Sequence, residues 1–342
     1  MIGGSRGWRR ASVMKARPVA ASVLSLALLL MGAGTASASA VAFEVWAEPG
    51  AGFGQVYRFI LSARHSLDMT MYELGDRRAE ADLVADASRG VNVRVLLDEA
   101  YHGGSYNEAA YSYLHSRGVH VEWAPSSVIV HQKTITVDDR AALIMTGNLT
   151  SEYYATSADF TLEDTKPADV ARIVGAFDDD WAGDLSKSWY DVPAHGQEGD
   201  LIFSPRSEGA LVGLISSAKH TVETSSEEMD SYKVEDALLA DARRGVNVEV
   251  LMTEDSSWDS AFNELKAGGA HIKLYPYSYN GLHIHAKAII VDGTTVYVGS
   301  INYSTASLVY NRELGLITSN PAVVKPVARA WSRWWAGVPT TY

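Results

Sequence analysis

Residues 283–304 read His-Ile-His-Ala-Lys-Ala-Ile-Ile-Val-Asp-Gly-Thr-Thr-Val-Tyr-Val-Gly-Ser-Ile-Asn-Tyr-Ser. Ala288 to Val291 is an uninterrupted apolar run, which predicts a buried strand. Asp292-Gly293 is typical of a hairpin turn, and it leads into a second apolar strand, Thr295 to Val298. The stretch therefore predicts a β-hairpin with polar side chains before its first strand and after its second.

Those polar side chains can meet on one face of the hairpin. Residues two apart on a strand share a face, so His285 and Lys287 can point together at one ligand. Ser300 and Asn302 can do the same from the neighbouring strand. An imidazole, an ammonium, a hydroxyl and an amide on one face suit a phosphate oxyanion. A single His-x-Lys pair is more often an exposed pair without a function. A second copy of the pattern strengthens the functional interpretation of this one.

The second copy lies earlier in the chain and has the same spacing. Its members are His131, Lys133, Asp138, Thr146 and Asn148. Their later counterparts are His285, Lys287, Asp292, Ser300 and Asn302. Other segments also recur: residues 89–96 match 244–251 and residues 59–65 match 214–220, both at an offset of 155. A near-constant offset over this length predicts a duplicated unit.

Two His-x-Lys-x4-Asp-x6-Gly-Ser-x-Asn motifs in one chain resemble the phospholipase D superfamily. The second copy matches the motif throughout, whereas the first has Met145 and Thr146 in place of Gly and Ser. Thr146 keeps the hydroxyl, so a working half-site is expected. The resemblance implies a metal-independent, cofactor-free two-step reaction through a phosphohistidine. It also implies His131 as the nucleophile and His285 as the general acid, an order that the residues alone leave open.

The fold expected from the chain is α/β, with two duplicated phospholipase D-like α/β units packed about a pseudo-twofold axis and an active site at their junction. The first helix is expected near residues 54–65, and the Arg-Gly pairs at 89–90 and 244–245 predict the ends of two further helices. Strands alternating with helices predict a largely parallel sheet in each unit. The expected boundaries are a leader at 1–40, a first unit at 41–182, a polar connector at 183–199 and a second unit at 200–342. Because each unit holds half a site, neither half should work alone.

The first 40 residues have the layout of a secretory signal peptide. Basic residues precede an almost wholly apolar run, Val19 to Met31, and small residues precede a cleavage site near Ala40. The run is short for a membrane span of about 20 residues. Secretion is therefore expected, by the general or, through Arg9-Arg10, the twin-arginine route. An uncleaved membrane anchor is the less favoured alternative.

Composition excludes several classes of site and partner. The chain has no cysteine, which rules out disulfides, thiolate metal sites and a cysteine nucleophile. Loss of the leader removes five basic residues and no acid, which changes the net charge from −12 to −17. Proteins that bind a nucleic-acid backbone usually present a basic face, so this charge disfavours a nuclease without excluding one. No His/Asp/Glu cluster near the motifs has metal-ligand spacing, so no metal is expected.

Phosphodiester chemistry assigns a task to each motif residue. Lys133 and Lys287 can shield the phosphate charge. One neutral imidazole can attack phosphorus while the other, protonated, acts as general acid, because histidine titrates near pH 6.5. The remaining predicted phosphate contacts are Thr146, Ser300, Asn148 and Asn302. Asp138 and Asp292 end strands at turns and are interpreted as structural.

Two further acids are Asp159 and Glu313, and each lies 28 residues beyond the histidine of its own motif copy. Each can hold an imidazole in its productive tautomer, as the carboxylate does in a hydrolytic triad. In the family that the chain resembles, an acid at this place has that task. The alternative is a solvated acid on a strand.

The sequence defines the reaction better than the substrate. Two tyrosine-rich loops, residues 101–106 and 275–281, can hold a choline group by cation–π contact, stack nucleotide bases or simply pack. We expect a monomeric, secreted phosphodiesterase that meets a membrane or micelle surface peripherally. It would hydrolyse phospholipids such as phosphatidylcholine to phosphatidate and the free alcohol. A non-specific endonuclease with the same residues is the runner-up, and a binding protein on a decayed scaffold is a third class.

Overall fold

The computed structural model describes residues 42–101, 103–185, 200–278 and 281–338. The predicted leader and most of the predicted connector lie outside the described residues. Among the residues that are described, no helix combines the length and the apolar character needed to cross a membrane.

The first half of the chain follows the predicted alternation, with additional strands. Its elements are β1 (Phe43–Glu48), α1 (Gly54–Ile60), β2 (Ser66–Met71), α2 (Arg77–Ser88), β3 (Asn92–Leu97), α3 (Gly103–His115), β4 (His120–Trp123), β5 (Thr134–Val137), β6 (Ala141–Met145), β7 (Ser157–Asp164) and α4 (Pro167–Trp181).

The second half repeats the same order with one added strand, β12 (His283–Ile284), and two short helical turns. Its elements are β8 (Asp200–Ser204), α5 (Glu208–Ser216), β9 (Thr221–Ser225), α6 (Tyr232–Arg243), β10 (Asn247–Thr253), a 3₁₀ turn (Ser256–Trp258), α7 (Asp259–Ala267), β11 (His271–Tyr275), β12 (His283–Ile284), β13 (Lys287–Val291), β14 (Thr295–Gly299), a π-helical turn (Ala306–Tyr310), β15 (Glu313–Thr318) and α8 (Pro321–Gly337).

Local sequence explains where several helices begin and end. Asp76 caps α2 by accepting hydrogen bonds from the backbone N–H groups of Arg78 and Ala79. The Arg-Gly pairs predicted to stop α2 and α6 do so, because Gly90 and Gly245 adopt φ values of +88° and +92°. The first helix is shorter than predicted and ends at Ile60 rather than near residue 65.

Each half builds one mixed sheet with the same strand order. The orders are β1-β7-β6-β5-β2-β3-β4 and, written from the matching edge, β8-β15-β14-β13-β9-β10-β11. The duplicated α/β fold is thereby confirmed. The prediction of a largely parallel sheet is wrong, because among the described strands of each half only β2-β3-β4 and β9-β10-β11 pair in parallel with one another. Short hairpin turns can join only antiparallel strands, and the edge strands β1 and β8 add a further antiparallel pair to each sheet.

The turns of the two motif hairpins depend on Asp138 and Asp292, each with a φ of +51°. The Asp138 carboxylate accepts the backbone N–H groups of residues 64–66, and Asp292 accepts those of residues 219–221. Each acid therefore ties its turn to the start of the neighbouring strand, in keeping with the structural role expected for both.

The two halves are joined by strand pairing and by a shared core. Strand β12 of the second half pairs in parallel with β7 of the first, and Val130 forms a parallel bridge with Arg312. One buried apolar cluster contains residues of both halves, including Phe160 and Trp334, whose rings lie 4.9 Å apart. These contacts place the segment before each motif histidine against a strand of the other half.

Candidate active site

The first motif histidine is held by an acid from the second half. His131 is buried, and its Nδ1 lies 2.9 and 3.0 Å from the two carboxylate oxygens of Glu313. Because Nδ1 donates to that carboxylate, Nε2 is the nitrogen that keeps a lone pair for reaction. Glu313 also accepts hydrogen bonds from Ser307 at 2.8 Å and Asn311 at 3.3 Å, which fix its orientation.

The second motif histidine is held in turn by an acid from the first half. His285 Nδ1 lies 2.8 Å from Oδ1 of Asp159, which belongs to the first half. The crossing follows from the strand pairing, because His283 and Ile284 lie beside Ser157 and Ala158 in parallel register. The sequence located both acids, but only the fold shows that each one serves the histidine of the opposite half.

The structure places the motif hydroxyls against these acids rather than against a substrate. Thr146 Oγ1 donates to Asp159 at 2.6 Å, and Ser300 Oγ donates to Glu313 at 2.6 Å. Both side chains are fully buried, and each hydroxyl also accepts a backbone N–H. We correct the predicted phosphate contact accordingly, since a hydroxyl whose proton is given to a buried carboxylate has none left for phosphate. Thr146 and Ser300 instead orient the acids.

The two motif lysines are buried in different surroundings. Lys133 Nζ donates to the main-chain oxygen of His131 at 2.5 Å and lies 5.0 Å from the centre of the Tyr72 ring. Lys287 Nζ lies 3.2 Å from Oε2 of Glu227. These are the two lysines that the sequence predicts to shield the phosphate charge, and each lies two residues beyond its motif histidine.

The motif asparagines face acids that the sequence did not single out. Asn148 Nδ2 donates to Glu73 at 3.0 Å, while Asn148 Oδ1 is buried and finds no partner among the described residues. Asn302 Oδ1 accepts hydrogen bonds from Ser226 and from the backbone N–H of Glu227. The amides therefore lie at the site, and their availability to a substrate phosphate stays a prediction.

Sequence reasoning missed an asymmetric pair of residues at the site, Tyr72 and Glu227. The repeat offset of 155 makes them equivalent: Tyr72 directly follows β2, and Glu227 lies two residues beyond the end of β9. The Tyr72 ring lies edge-on to the His131 ring at 4.7 Å, whereas Glu227 Oε2 lies 3.2 Å from His285 Nε2. A comparison of the repeats for differences, rather than for matches, would have found this pair.

These surroundings give the two histidines opposite protonation preferences. Burial, assisted by Lys133 and Lys287, lowers the pKa of His131 to about 4 despite the Glu313 carboxylate. Burial also opposes the charged form of His285, but the carboxylates of Asp159 and Glu227 outweigh it and raise its pKa to about 9. Near neutral pH, His131 is therefore neutral and His285 protonated, as a nucleophile and a general acid require.

The pH profile of kcat/KM should follow these values together with that of Lys133. Burial, with Lys287 nearby, lowers the pKa of Lys133 to about 7. Activity should appear as His131 loses its proton above about pH 4, decline as Lys133 loses its charge above about 7, and decline again above about 9 as His285 deprotonates. Rates with a soluble short-chain phosphodiester measure this profile. A single optimum on the alkaline side of 9 would contradict the assignment.

A cavity of about 470 Å³ opens beside His285. Its lining is acidic and aromatic, and the charged and ring-bearing members are Glu48, Glu73, Glu152, Asp159, Glu227, Phe53, Tyr153, Tyr154, Tyr277, His283 and His285. None of the described residues that line it is a lysine or an arginine. We call this cavity, defined by these residues, the acidic pocket.

The two predicted tyrosine loops contribute unequally to the acidic pocket. Tyr277 lines it and is 77% exposed. Tyr275 instead donates its hydroxyl to the main-chain oxygen of Trp334 at 2.7 Å, and Tyr106 donates to Glu152 at 3.2 Å. His102, Tyr279 and Asn280 lie outside the described residues. Within the part of the chain that is described, no group of three or more His, Asp or Glu side chains is arranged to hold a metal ion.

Comparison with known proteins places this architecture among related sequences. A family model described as "Cardiolipin synthase, PLD-like domain" matches residues 56–181 and, again, residues 211–335. The cardiolipin synthases A of Cronobacter sakazakii and Escherichia coli are each 24% identical to the chain, over 306 and 305 residues respectively. These matches cover 76% of this chain but only 62% of the relatives, so the chain spans less than two thirds of their length.

Solved structures resemble the chain in fold. Phosphatidylserine synthase of Haemophilus influenzae aligns with a TM-score of 0.67 and 12% identity, over 88% of this chain and 87% of that one. Polyphosphate kinase of Porphyromonas gingivalis aligns with a TM-score of 0.66 and 14% identity, over 86% of this chain and 47% of that one. Identities this low show a shared fold and nothing about the reaction.

Proposed function

The chain belongs to the phospholipase D superfamily, with two copies of its domain, and from this premise we propose that it is a phospholipid phosphodiesterase. It would hydrolyse phosphatidylcholine-type lipids to phosphatidate and the free head-group alcohol. The observation that carries the proposal is the crossed pair of buried histidines, each held at Nδ1 by an acid of the other half. Their opposite pKa shifts prepare one as nucleophile and the other as acid.

In the first step, Nε2 of neutral His131 attacks phosphorus. The bond from phosphorus to the head-group oxygen breaks, and protonated His285 gives its Nε2 proton to that oxygen. Lys133 and Lys287 stabilise the charge on the non-bridging oxygens as it moves. The products are the free alcohol and a phosphatidyl group bound covalently to His131, while His285 is left neutral.

In the second step, neutral His285 takes a proton from water as the water oxygen attacks phosphorus. The bond between phosphorus and nitrogen breaks, which returns His131 as a neutral imidazole and releases phosphatidate. His285 is protonated again, so the cycle closes without another reactant. An alcohol in place of water would give phosphatidyl transfer, the type of reaction that the name of the cardiolipin synthase relatives indicates for them.

The acidic pocket favours a cationic head group over a polyanion. Carboxylates and aromatic rings together bind quaternary ammonium groups through charge and cation–π attraction. The same carboxylates repel a nucleic-acid strand, which needs a basic groove along its backbone. The lining of the pocket thus supports a choline-type lipid and disfavours the endonuclease alternative.

A direct competition tests the proposal. The protein without its predicted leader is offered phosphatidylcholine vesicles and plasmid DNA, with excess chelator present. We expect choline release and intact plasmid, because neither step of the proposed reaction needs a metal. The His131→Ala variant is the control for contaminating activity. Plasmid cleavage without choline release, or choline release that the chelator abolishes, would contradict the proposal.

A further inference from the structure

Glu227 occupies a position at the site where the two halves differ in chemistry. In the first half, this position is Tyr72, whose ring contacts His131 and lies over the Lys133 ammonium. In the second half, a carboxylate replaces that ring. The Glu227 side chain keeps 34% of its surface exposed and lines the acidic pocket, so it is neither locked in the core nor remote from the site.

One oxygen of Glu227 contacts the polar groups of the second motif. Oε2 lies 3.2 Å from Lys287 Nζ, 3.2 Å from His285 Nε2 and 3.5 Å from Asn302 Nδ2. In the proposed reaction, the lysine and the amide meet a phosphate oxygen and the histidine meets the leaving oxygen. The carboxylate oxygen therefore lies where an oxygen of the substrate phosphodiester must bind.

The other oxygen of Glu227 faces the pocket. Oε1 lies 3.8 Å from His283 Nε2, and His283 also lines the acidic pocket. A rotation of the carboxylate away from Lys287 would therefore carry it toward the space beside the leaving group. Two anions at hydrogen-bond distance repel strongly when partly desolvated, so phosphate and the carboxylate cannot share the same three donors.

We propose that Glu227 fills the second-motif phosphate position in the free enzyme and, when substrate displaces it, binds the cation of the head group in the acidic pocket. This inference rests on the proposed function and adds the residue that selects the substrate. A lipid with a cationic head group gives the displaced carboxylate a new partner, whereas a lipid with a neutral or anionic head group does not. Glu227 is thus a specificity residue that disfavours lipids such as phosphatidylglycerol.

Two substitutions test Glu227 without touching the motifs. Glu227→Gln removes the charge, and Glu227→Tyr installs the residue that the first half uses at this position. Inorganic phosphate is titrated into each protein by calorimetry at pH 6, where Asp159 keeps His285 protonated. Both variants should bind phosphate about tenfold more tightly than the unmodified protein, since no carboxylate competes for the donors.

The second measurement compares head groups. The ratio of kcat/KM for phosphatidylcholine to that for phosphatidylglycerol should fall about tenfold or more in both variants, chiefly because phosphatidylglycerol becomes a better substrate. Glu228→Gln is the matched control, because that neighbouring carboxylate is held by Ser304. It should leave both the phosphate affinity and the ratio unchanged.

The outcomes separate the two proposals. Phosphate affinity and head-group ratio that stay unchanged in Glu227→Gln and Glu227→Tyr would overturn the role of Glu227. An unmodified protein that cleaves neither lipid would overturn the proposed function, while the phosphate titration would still report whether the carboxylate occupies the phosphate position. Tighter phosphate binding with an unchanged ratio would reject the selection of head groups.

Discussion

Replacing His131 with alanine should abolish turnover of every phosphodiester, with a loss of about 10⁴-fold or more. In the proposed reaction His131 supplies the atom that bonds to phosphorus, so a better leaving group cannot compensate for its removal. The neutral state that attack requires is maintained by burial and by two neighbouring lysines, which lower its pKa to about 4. No protein carrying a covalent phosphatidyl group should form, as mass spectrometry after acid-free quenching would show.

Replacing His285 with alanine should have a different signature. A lipid analogue with a nitrophenol leaving group needs no general acid, so the first step should proceed and release about one equivalent of nitrophenol in a burst. Turnover should then stop, because no base remains to activate water. The phosphatidyl group should stay on His131. With a choline leaving group, even the burst should be lost.

His65→Ala is the control for these histidine variants. His65 is exposed at the junction of α1 and β2, where its backbone N–H donates to Asp138 and its backbone oxygen accepts from Asn92, and alanine keeps both of these backbone contacts. Its removal should leave both the burst and the turnover intact. Full activity in either motif variant would refute the two-histidine mechanism, and a burst in His131→Ala would show that the nucleophile has been assigned to the wrong half.

Much of the fold was predictable because the chain carries it twice. The repeat offset identified the duplication, and the Arg-Gly stops and the apolar runs located the helices and strands around each hairpin. Strands β1 and β8 were not predicted. Each is an edge strand that depends on pairing with a strand, β7 or β15, that lies far from it in sequence. Because these pairings are antiparallel, they are one reason why each sheet is mixed and not largely parallel as predicted.

The site residues were predictable as a set but not as partners. Spacing along the chain identifies His131, His285, Asp159 and Glu313, yet it says nothing about which acid meets which histidine. Thr146 and Ser300 were assigned to phosphate because the motif groups them with the asparagines, whereas their hydroxyls face the acids. Glu227 was missed because a search for repeats finds positions where both copies have the same or similar residues, and the counterpart of Glu227 is a tyrosine.

The second large effect is expected from replacing the acids that hold a histidine of the opposite half. Glu313→Gln should slow the reaction by about 10³- to 10⁴-fold, because an amide no longer holds the Nδ1–H tautomer that leaves Nε2 of His131 free to attack.

Asp159→Asn should impair the general acid instead. Burial would then lower the pKa of His285 from about 9, and the alkaline limb of kcat/KM should move to lower pH. Steady-state rates across pH with choline and nitrophenol leaving groups measure both effects.

Combining these changes with His285→Ala shows which histidine each acid serves. In that background the nitrophenol burst reports attack by His131 alone. Adding Asp159→Asn should leave the burst rate unchanged, since its partner is already gone, whereas adding Glu313→Gln should slow the burst as strongly as it slows the unmodified enzyme. If each acid served the histidine of its own half, the two results would be exchanged. The crossing also predicts that an isolated half is inactive, because a half would carry a histidine without its acid and an acid without its histidine.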